Sequence, residues 1–324
     1  MDFLQKGIVE KIQEYSKISL FFHEVPDFDA LGACFAIKRF IKDMYPDKEV
    51  YVIGLDVLDE SFAQDFFEFD KKHVSNNIIS ESLGIILDTA NEQRIWTGRH
   101  KYCRELIRID HHPQVESIAQ IEWIDSNYSA TCEMVGDLLY SWDAKYILPP
   151  TAQFLYAGIV TDTNRFLYLS TKPSTFALVS KLMTTNFDRR KINDAIYLKN
   201  LKEAKFDSYV MSRVKFDKEL KFAYAILAKN SFDKYGVELR MSMVHLLNNI
   251  RGLEIWTTLY YDDTVRAWRG SLRSKTFPIN QIAEKYRGGG HKLAAGFTLR
   301  SFGEFKRLRL DVITYLKQVL KIID

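Results

Sequence analysis

Short apolar runs recur through the first half of the chain and alternate with segments of helical periodicity. Residues 18–22 (Ile-Ser-Leu-Phe-Phe) form a β-prone run, and Leu31, Phe35, Ile37, Phe40 and Ile41 then follow the spacing of one helix face over residues 30–45. Further runs stand at Val50-Tyr-Val-Ile53, Leu83-Gly-Ile-Ile-Leu87 and Leu106-Ile-Arg-Ile109, each of the kind expected for a strand covered on both faces. Helices are expected near residues 130–141, 151–160 and 174–185. This alternation predicts an α/β unit built on a mostly parallel sheet with helices on both faces.

The character changes after Asn186. Residues 187–212 are charge-rich, lack Gly and Pro, and carry a modest apolar stripe through Phe187, Ile192, Ile196 and Leu201, which predicts a helical linker. Strand candidates at 221–227, 254–261 and 265–270 then mix with helices near 240–250, 279–286 and 303–321. The expected organisation is an N-terminal domain over 1–186, the linker, and a smaller α+β domain over 213–324.

Composition sharpens this division. The chain has 324 residues, 47% of them apolar and 27% charged, which suits a globular protein with ample core. The net charge of +3 conceals opposite halves: residues 1–186 hold 18 Lys and Arg against 27 Asp and Glu, a net of −9, whereas residues 187–324 hold 27 against 15, a net of +12. A carboxylate-rich half suits cations, and a basic half suits a phosphate-bearing partner. No apolar run approaches the ~18 residues of a membrane span, and the N-terminus lacks the basic-then-apolar pattern of a signal peptide. A cytoplasmic enzyme without membrane contact is expected. Cys34, Cys103 and Cys132 lie far apart without Cys-x-x-Cys spacing and are read as reduced, buried residues.

Carboxylates and imidazoles gather where the strands end. The first run leads into His23-Glu-Val-Pro-Asp27-Phe-Asp29, the third into Asp88-Thr-Ala-Asn91, and the fourth into Asp110-His111-His112-Pro113. Each Asp alone would be read as a helix cap. Three strand ends of this type, at the sheet edge where open α/β folds bind ligands, point instead to a shared site. Thr161-Asp162-Thr163 after an apolar helix adds one more carboxylate. Hard oxygen donors with imidazoles suit Mn²⁺, Mg²⁺ or a similar divalent ion, in number sufficient for two. Paired ions can generate a hydroxide nucleophile and clamp phosphoryl oxygens. In the basic half, Ser271 and Arg273 precede Arg287-Gly288-Gly289-Gly290-His291-Lys292, where the glycines would form a nest of N–H donors for an anion.

Together these motifs resemble the DHH phosphoesterase superfamily, in the branch with a C-terminal DHH-associated domain, and most resemble its nano-RNases and pAp phosphatases. His-x-x-Pro-Asp-x-Asp-Ala at 23–30, Asp88-Thr-Ala, Asp110-His-His, Thr161-Asp-Thr and Gly288-Gly-Gly-His291 match in order. The resemblance implies one ion held by His23, Asp27 and Asp88 and another by Asp29, Asp88, His111 and Asp162, with Mn²⁺ the expected metal and Mg²⁺ or Co²⁺ as alternatives. It implies that Asp110 orients the site and that His112 contacts the phosphoryl group under attack. Ser271, Arg273, Gly288, Gly289, Gly290 and His291 would hold substrate across an interdomain cleft. Phe28, where small residues are usual, and Asn164, where Gly is common, depart from the pattern without removing a ligand.

The implied activity is metal-hydroxide attack on short oligoribonucleotides, linear dinucleotides or 3′-phosphoadenosine 5′-phosphate (pAp). A RecJ-like single-strand exonuclease would share this chemistry but needs further nucleic-acid-binding domains for which the chain has little room. A family II pyrophosphatase shares the metal motifs but not the Gly-Gly-Gly-His turn with its Arg/Ser surroundings. A membrane-anchored cyclic-dinucleotide phosphodiesterase is disfavoured by the missing membrane segment. A non-catalytic nucleotide or RNA binder would have lost ligands, and none is lost. Short RNA or a small nucleotide is the expected partner; a homodimer is compatible with the sequence, and no obligatory protein partner is expected.

Overall fold

The structure is a computed structural model that describes residues 1–58, 66–237 and 243–321, the side chain of His291 excepted. It divides into two compact units, Met1–Leu198 and Lys199–Asp324. The expected linker is shared between them: helix Arg189–Tyr197 places Ile192 in the core of the first unit, and helix Leu201–Ser212 places Phe206 and Val210 in a cluster of the second.

Five strands build the first sheet: β1 (Lys17–Phe21), β2 (Glu49–Val52), β3 (Leu83–Leu87), β4 (Glu105–Asp110) and β5 (Ile121–Ile124). They run parallel in the order β2-β1-β3-β4-β5. Winding therefore reverses between β1 and β3, and such a switch point opens a crevice at the carboxyl ends of the strands. Leu20, Ile85 and Leu87 face one core cluster while Phe21 and Ile86 face another, so both sides of the sheet are covered. Strand β5 escaped the sequence reading because Ile121-Glu-Trp-Ile124 is short and carries a charge.

Helices Phe28–Met44, Thr131–Asp143 and Pro149–Asp162 pack together on one face and end or begin at the crevice. Their approach depends on absent side chains. A Cβ on Gly32 would lie 2.7 Å from the Phe154 carbonyl oxygen, and one on Gly158 would lie 2.3 Å from Cys132 Sγ and 2.8 Å from Asp29 Oδ1. Phe28, the first residue of its helix, is buried against Phe66 and Phe67, with ring centroids 5.5 and 5.6 Å away.

In the second unit, β6 (Val214–Asp217), β7 (Phe222–Ile226), β8 (Ile255–Asp262), β9 (Ala267–Ser274), β10 (Gly289–His291) and β11 (Ala294–Leu299) form a sheet in the order β10-β11-β9-β8-β7-β6. It is antiparallel except for β7 and β8. One face packs on helix Phe302–Leu320 through Phe305, Leu308, Val312 and Leu316, an i, i+3, i+4 stripe. The helix expected near 240–250 begins outside the described residues, and Val244–Leu247 is a single 3-10 turn. The glycine turn expected at 288–290 is instead largely strand: Gly289–His291 pairs with Ala294–Gly296 at the edge of the sheet, so alternate backbone groups are directed to the ladder and the segment is extended rather than a nest. Its partner strand, Ala-Ala-Gly-Phe-Thr-Leu, has weak β-propensity and owes its form to pairing with β9. No described helix is long and apolar enough to cross a membrane.

Two glycine substitutions should act with opposite sign. Gly158→Ala forces a methyl into Cys132 and Asp29 and should cost about 1–3 kcal/mol. Gly7 lies inside helix Phe3–Glu14, and a Cβ there would meet nothing within 4 Å. At that position Ala should add roughly 0.5–1 kcal/mol. Denaturant midpoints of the two variants would check both signs; equal stability of Gly158→Ala and the native chain would refute the packing argument.

Candidate functional site

The loop after β1 is the first contributor. Pro26 delays the following helix, and Asp27 caps it: Oδ1 accepts from the N–H groups of Asp29 and Ala30, both at 3.0 Å. The other oxygen, Oδ2, stands 3.8 Å from His23 Nε2. Capping and metal ligation are thus not alternatives here, since one carboxylate has an oxygen for each. Asp29, in the first helical turn, is fully buried and accepts from the N–H groups of Thr131 and Cys132 at 2.7 and 2.8 Å, which ties it to the start of the next helix.

Asp88 follows β3 in a left-handed conformation, φ 55°, that turns its side chain out of the strand path. Thr131 Oγ1 donates to its Oδ1 at 3.1 Å. That same oxygen lies 3.5 Å from His111 Nε2 and 3.4 Å from His112 Nδ1, while Oδ2 lies 3.5 Å from His23 Nε2. Asp162, the last residue of its helix, places Oδ2 3.3 Å from His111 Nε2. Asn164 then takes φ 48°, a conformation that Asn tolerates better than most residues, so its replacement of Gly is accommodated.

These residues form three overlapping donor groups, His23/Asp27/Asp88, Asp29/His111/Asp162 and Asp88/His111/His112, each with its ligand atoms within 4.8 Å of one another. Most separations exceed a good hydrogen bond. They match a shared cation instead, because donors ~2.1 Å from one ion stand about 3 Å apart when adjacent and about 4 Å when opposite. Charge agrees. Among the described residues, no Lys or Arg forms an ion pair with Asp27, Asp29, Asp88 or Asp162. Burial and then mutual repulsion push the Asp88 and Asp162 carboxyls well above their ordinary range, and burial together with Asp27 raises Asp29 to about 6. Burial lowers His23, which keeps its imidazole neutral and able to ligate. The donor set therefore fits a divalent metal centre.

Asp110 has a different setting. It is fully buried, and although burial opposes ionisation, His112 and Arg108 hold its carboxyl below the usual range. Its Oδ1 lies 2.8 Å from His112 Nδ1 and accepts from the His112 N–H at 3.1 Å, and its Oδ2 accepts from Arg108 Nη2 at 2.7 Å. Arg108 and Thr131 were not singled out from the sequence. Arg108 carried a signal, as a charge inside an otherwise apolar strand; Thr131 carried none, being one threonine before a helix.

In the second unit, strand alternation and register place Arg269, Ser271 and Arg273 on one face, beside Thr258 and Tyr260 of β8 and Gly296 and Thr298 of β11. A groove of about 410 Å³ there is lined by Tyr260, Arg269, Ser271, Arg287, Gly288, Gly289, Gly296 and Thr298, among others. Of the sequence candidates, Ser271, Gly288 and Gly289 line it, whereas Arg273 and Gly290 do not. His291 supplies backbone to β10, and its side chain lies outside the described residues. Gly288 is needed for packing, since a Cβ would sit 2.0 Å from the Gly296 carbonyl oxygen, but Gly289 has open space above it.

The uncompensated carboxylates generate a test. Asp88→Asn removes one repelling charge, and Asn suits the left-handed backbone, so the metal-free variant should melt above the metal-free native chain. Mn²⁺ at about a hundredfold over its dissociation constant should stabilise the native chain by roughly 2.7 kcal/mol. The variant should gain far less. Thermal unfolding with EDTA and with Mn²⁺ measures both, and an undiminished metal-induced gain in Asp88→Asn would rule out a central role for this carboxylate.

Comparison with known proteins agrees with the geometry. Residues 17–159 match the DHH family, N-terminal domain, and residues 219–318 match the DHHA1 domain. The chain is 30% identical over 323 residues to the bifunctional oligoribonuclease and PAP phosphatase NrnA of Bacillus subtilis, covering 97% of this chain and 99% of that protein. It is 44% identical over 303 residues to the uncharacterized protein MG371 of Mycoplasma genitalium, covering 94% and 93% of the two. The crystal structure of an exopolyphosphatase-related protein from Bacteroides fragilis shares the fold at a TM-score of 0.85 and 24% identity, over 98% of this chain and 97% of that one. With both domains matched and a relative of this identity along nearly its whole length, the chain belongs to the DHH family and is a hydrolytic phosphoesterase.

Proposed function

We propose that this phosphoesterase uses two divalent ions, Mn²⁺ by preference, to hydrolyse short oligoribonucleotides, linear dinucleotides or pAp. The observation that carries the two-ion reading is the division of Asp88, whose Oδ2 faces His23 and whose Oδ1 faces His111. A carboxylate so placed is suited to bridging. His23 and Asp27 would complete one ligand set, and Asp29, His111 and Asp162 the other. Bound divalent ions supply Lewis acidity at the phosphoryl group and acidify the attacking water.

The remaining residues do work of their own. Asp110 holds the His112 ring at its Nδ1 side, so the other ring nitrogen is the one that would meet a phosphoryl oxygen. Thr131 and Cys132 fix Asp29 through their N–H groups, so this ligand is in place before any ion arrives. Ser271, Gly288 and Gly289 would hold the non-reacting part of the substrate in the groove, with Arg273, on the same strand face, Gly290 and His291 contributing beyond its lining. The substrate class is supported by the activity for which the B. subtilis relative is named. A groove of about 410 Å³ suits a nucleotide-sized group rather than an extended strand.

A panel of pyrophosphate, pAp, linear dinucleotides and a length series of 5′-labelled RNA, with Mn²⁺ at fixed salt, tests the proposal. kcat/KM should peak at about two to five nucleotides, near the smallest site sizes of single-strand-binding modules. A steady climb beyond about ten nucleotides would identify a processive exonuclease instead. In the same assay Arg273→Ala should raise KM about tenfold or more, the loss of a charge-assisted phosphate contact, with bound metal unchanged. Loss of metal in that variant would mean that the second unit has been given the wrong role.

A further inference from the structure

Arg108 interrupts the apolar run of β4, yet none of its surface is exposed. Burying a guanidinium carries a large desolvation cost, and a well-packed apolar side chain of similar volume usually serves stability as well or better.

The fork itself is fully engaged, and its partners lie in segments that carry the site. Nη2 donates to Asp110 Oδ2 at 2.7 Å and to the Ala90 carbonyl at 3.0 Å; Nη1 donates to the Glu116 carbonyl at 3.0 Å and stands 3.6 Å from Glu122 Oε1. Ala90 is two residues beyond Asp88, and Glu116 is four beyond His112. Glu122 in turn accepts from the N–H groups of Ile118 and Ala119, which closes the loop that follows His112. One planar group thereby joins the segment after β3, the end of β4 and the loop beyond it.

We infer that Arg108 is a positioning residue for phosphoester hydrolysis, acting through Asp110 to fix the His112 imidazole relative to Asp88. Asp110 Oδ1 lies 2.8 Å from His112 Nδ1 while Oδ2 is held by the guanidinium, so rotation of the carboxylate would break both contacts together. The inference rests on the reading that His112 acts at the phosphoryl group. A lysine would keep the charge but cannot present a rigid fork to three acceptors.

The test compares Arg108→Lys, Arg108→Met, Asp110→Asn, Arg108→Met/Asp110→Asn and His112→Asn in the full chain with saturating Mn²⁺ and a linear dinucleotide. Arg108→Met should lower kcat about 10–100-fold, the usual loss when a partner behind a site residue is removed. Arg108→Lys should lie between it and the native chain, with KM and bound metal unchanged in both. The double variant should be no slower than Asp110→Asn alone, and it also removes the buried anion that Arg108→Met would leave unpaired. Native kcat in both Arg108 variants, a loss confined to KM or metal content, or multiplying losses in the double variant would each overturn the inference. His112→Asn separates the two readings: if it is impaired while the Arg108 variants are not, the positioning role alone fails, whereas native kcat in His112→Asn removes the role of His112 on which the inference stands.

Discussion

Mutual repulsion among carboxylates confined at the end of a parallel sheet governs the first unit. Asp27, Asp29, Asp88 and Asp162 are drawn from three separate segments into donor groups whose atoms lie within 4.8 Å, and no Lys or Arg among the described residues pairs with them. Left alone, such a cluster favours protonation, which the raised Asp29, Asp88 and Asp162 carboxyls display. The fold must hold the cluster together by other means until a cation neutralises it. It does so with backbone donors. Asp29 is gripped by two N–H groups at a helix start and Asp27 by two more, so the positive end of a helix dipole offsets part of the charge at each.

Holding the ligands this tightly requires the helices to sit close. Gly32 and Gly158 let helix Phe28–Met44 lie against helix Pro149–Asp162, and the aspartates to be positioned, Asp29 and Asp162, sit within about one turn of those contacts. The topology supplies the remaining donors. Because the winding reverses between β1 and β3, the ends of these strands stand side by side with a crevice between them, and β4 follows on the next row. His23, Asp88 and the Asp110–His112 segment thus arrive at one edge from strands far apart in sequence.

Much of this is legible in the sequence alone. Strands ending in Asp or His, with Pro26 blocking an early helix, point to the site and to its chemistry, since the residue types at strand ends are local features. What the sequence hides is relational. Asp27 can be read as a cap or as a ligand, but only the geometry shows one oxygen capping the helix while the other faces His23. Asn164 and Phe28 look like disturbances of the pocket; the backbone of one is left-handed and the ring of the other belongs to the aromatic core. Gly288–Gly290 reads as a turn because glycines suggest one, yet β-pairing is decided by the neighbouring strand. β11 was missed for the same reason, its Ala-Ala-Gly start being strand only by virtue of β9.

The two units also solve recognition in opposite ways. In the first, the clustered carboxylates and imidazoles project from strand and helix ends and are set by a cap, a close glycine contact or a neighbouring backbone donor. In the second, Gly289 and Gly296 strip one patch of a sheet of side chains, and Arg269, Ser271 and Tyr260 stand around it. A bare β-surface lets a ligand approach the backbone closely, and its flanking cations favour phosphate without demanding one base. Such a surface can accept chemically different nucleotides, provided that they are small enough for the groove. On the function proposed above, discrimination would rest on size rather than on base identity.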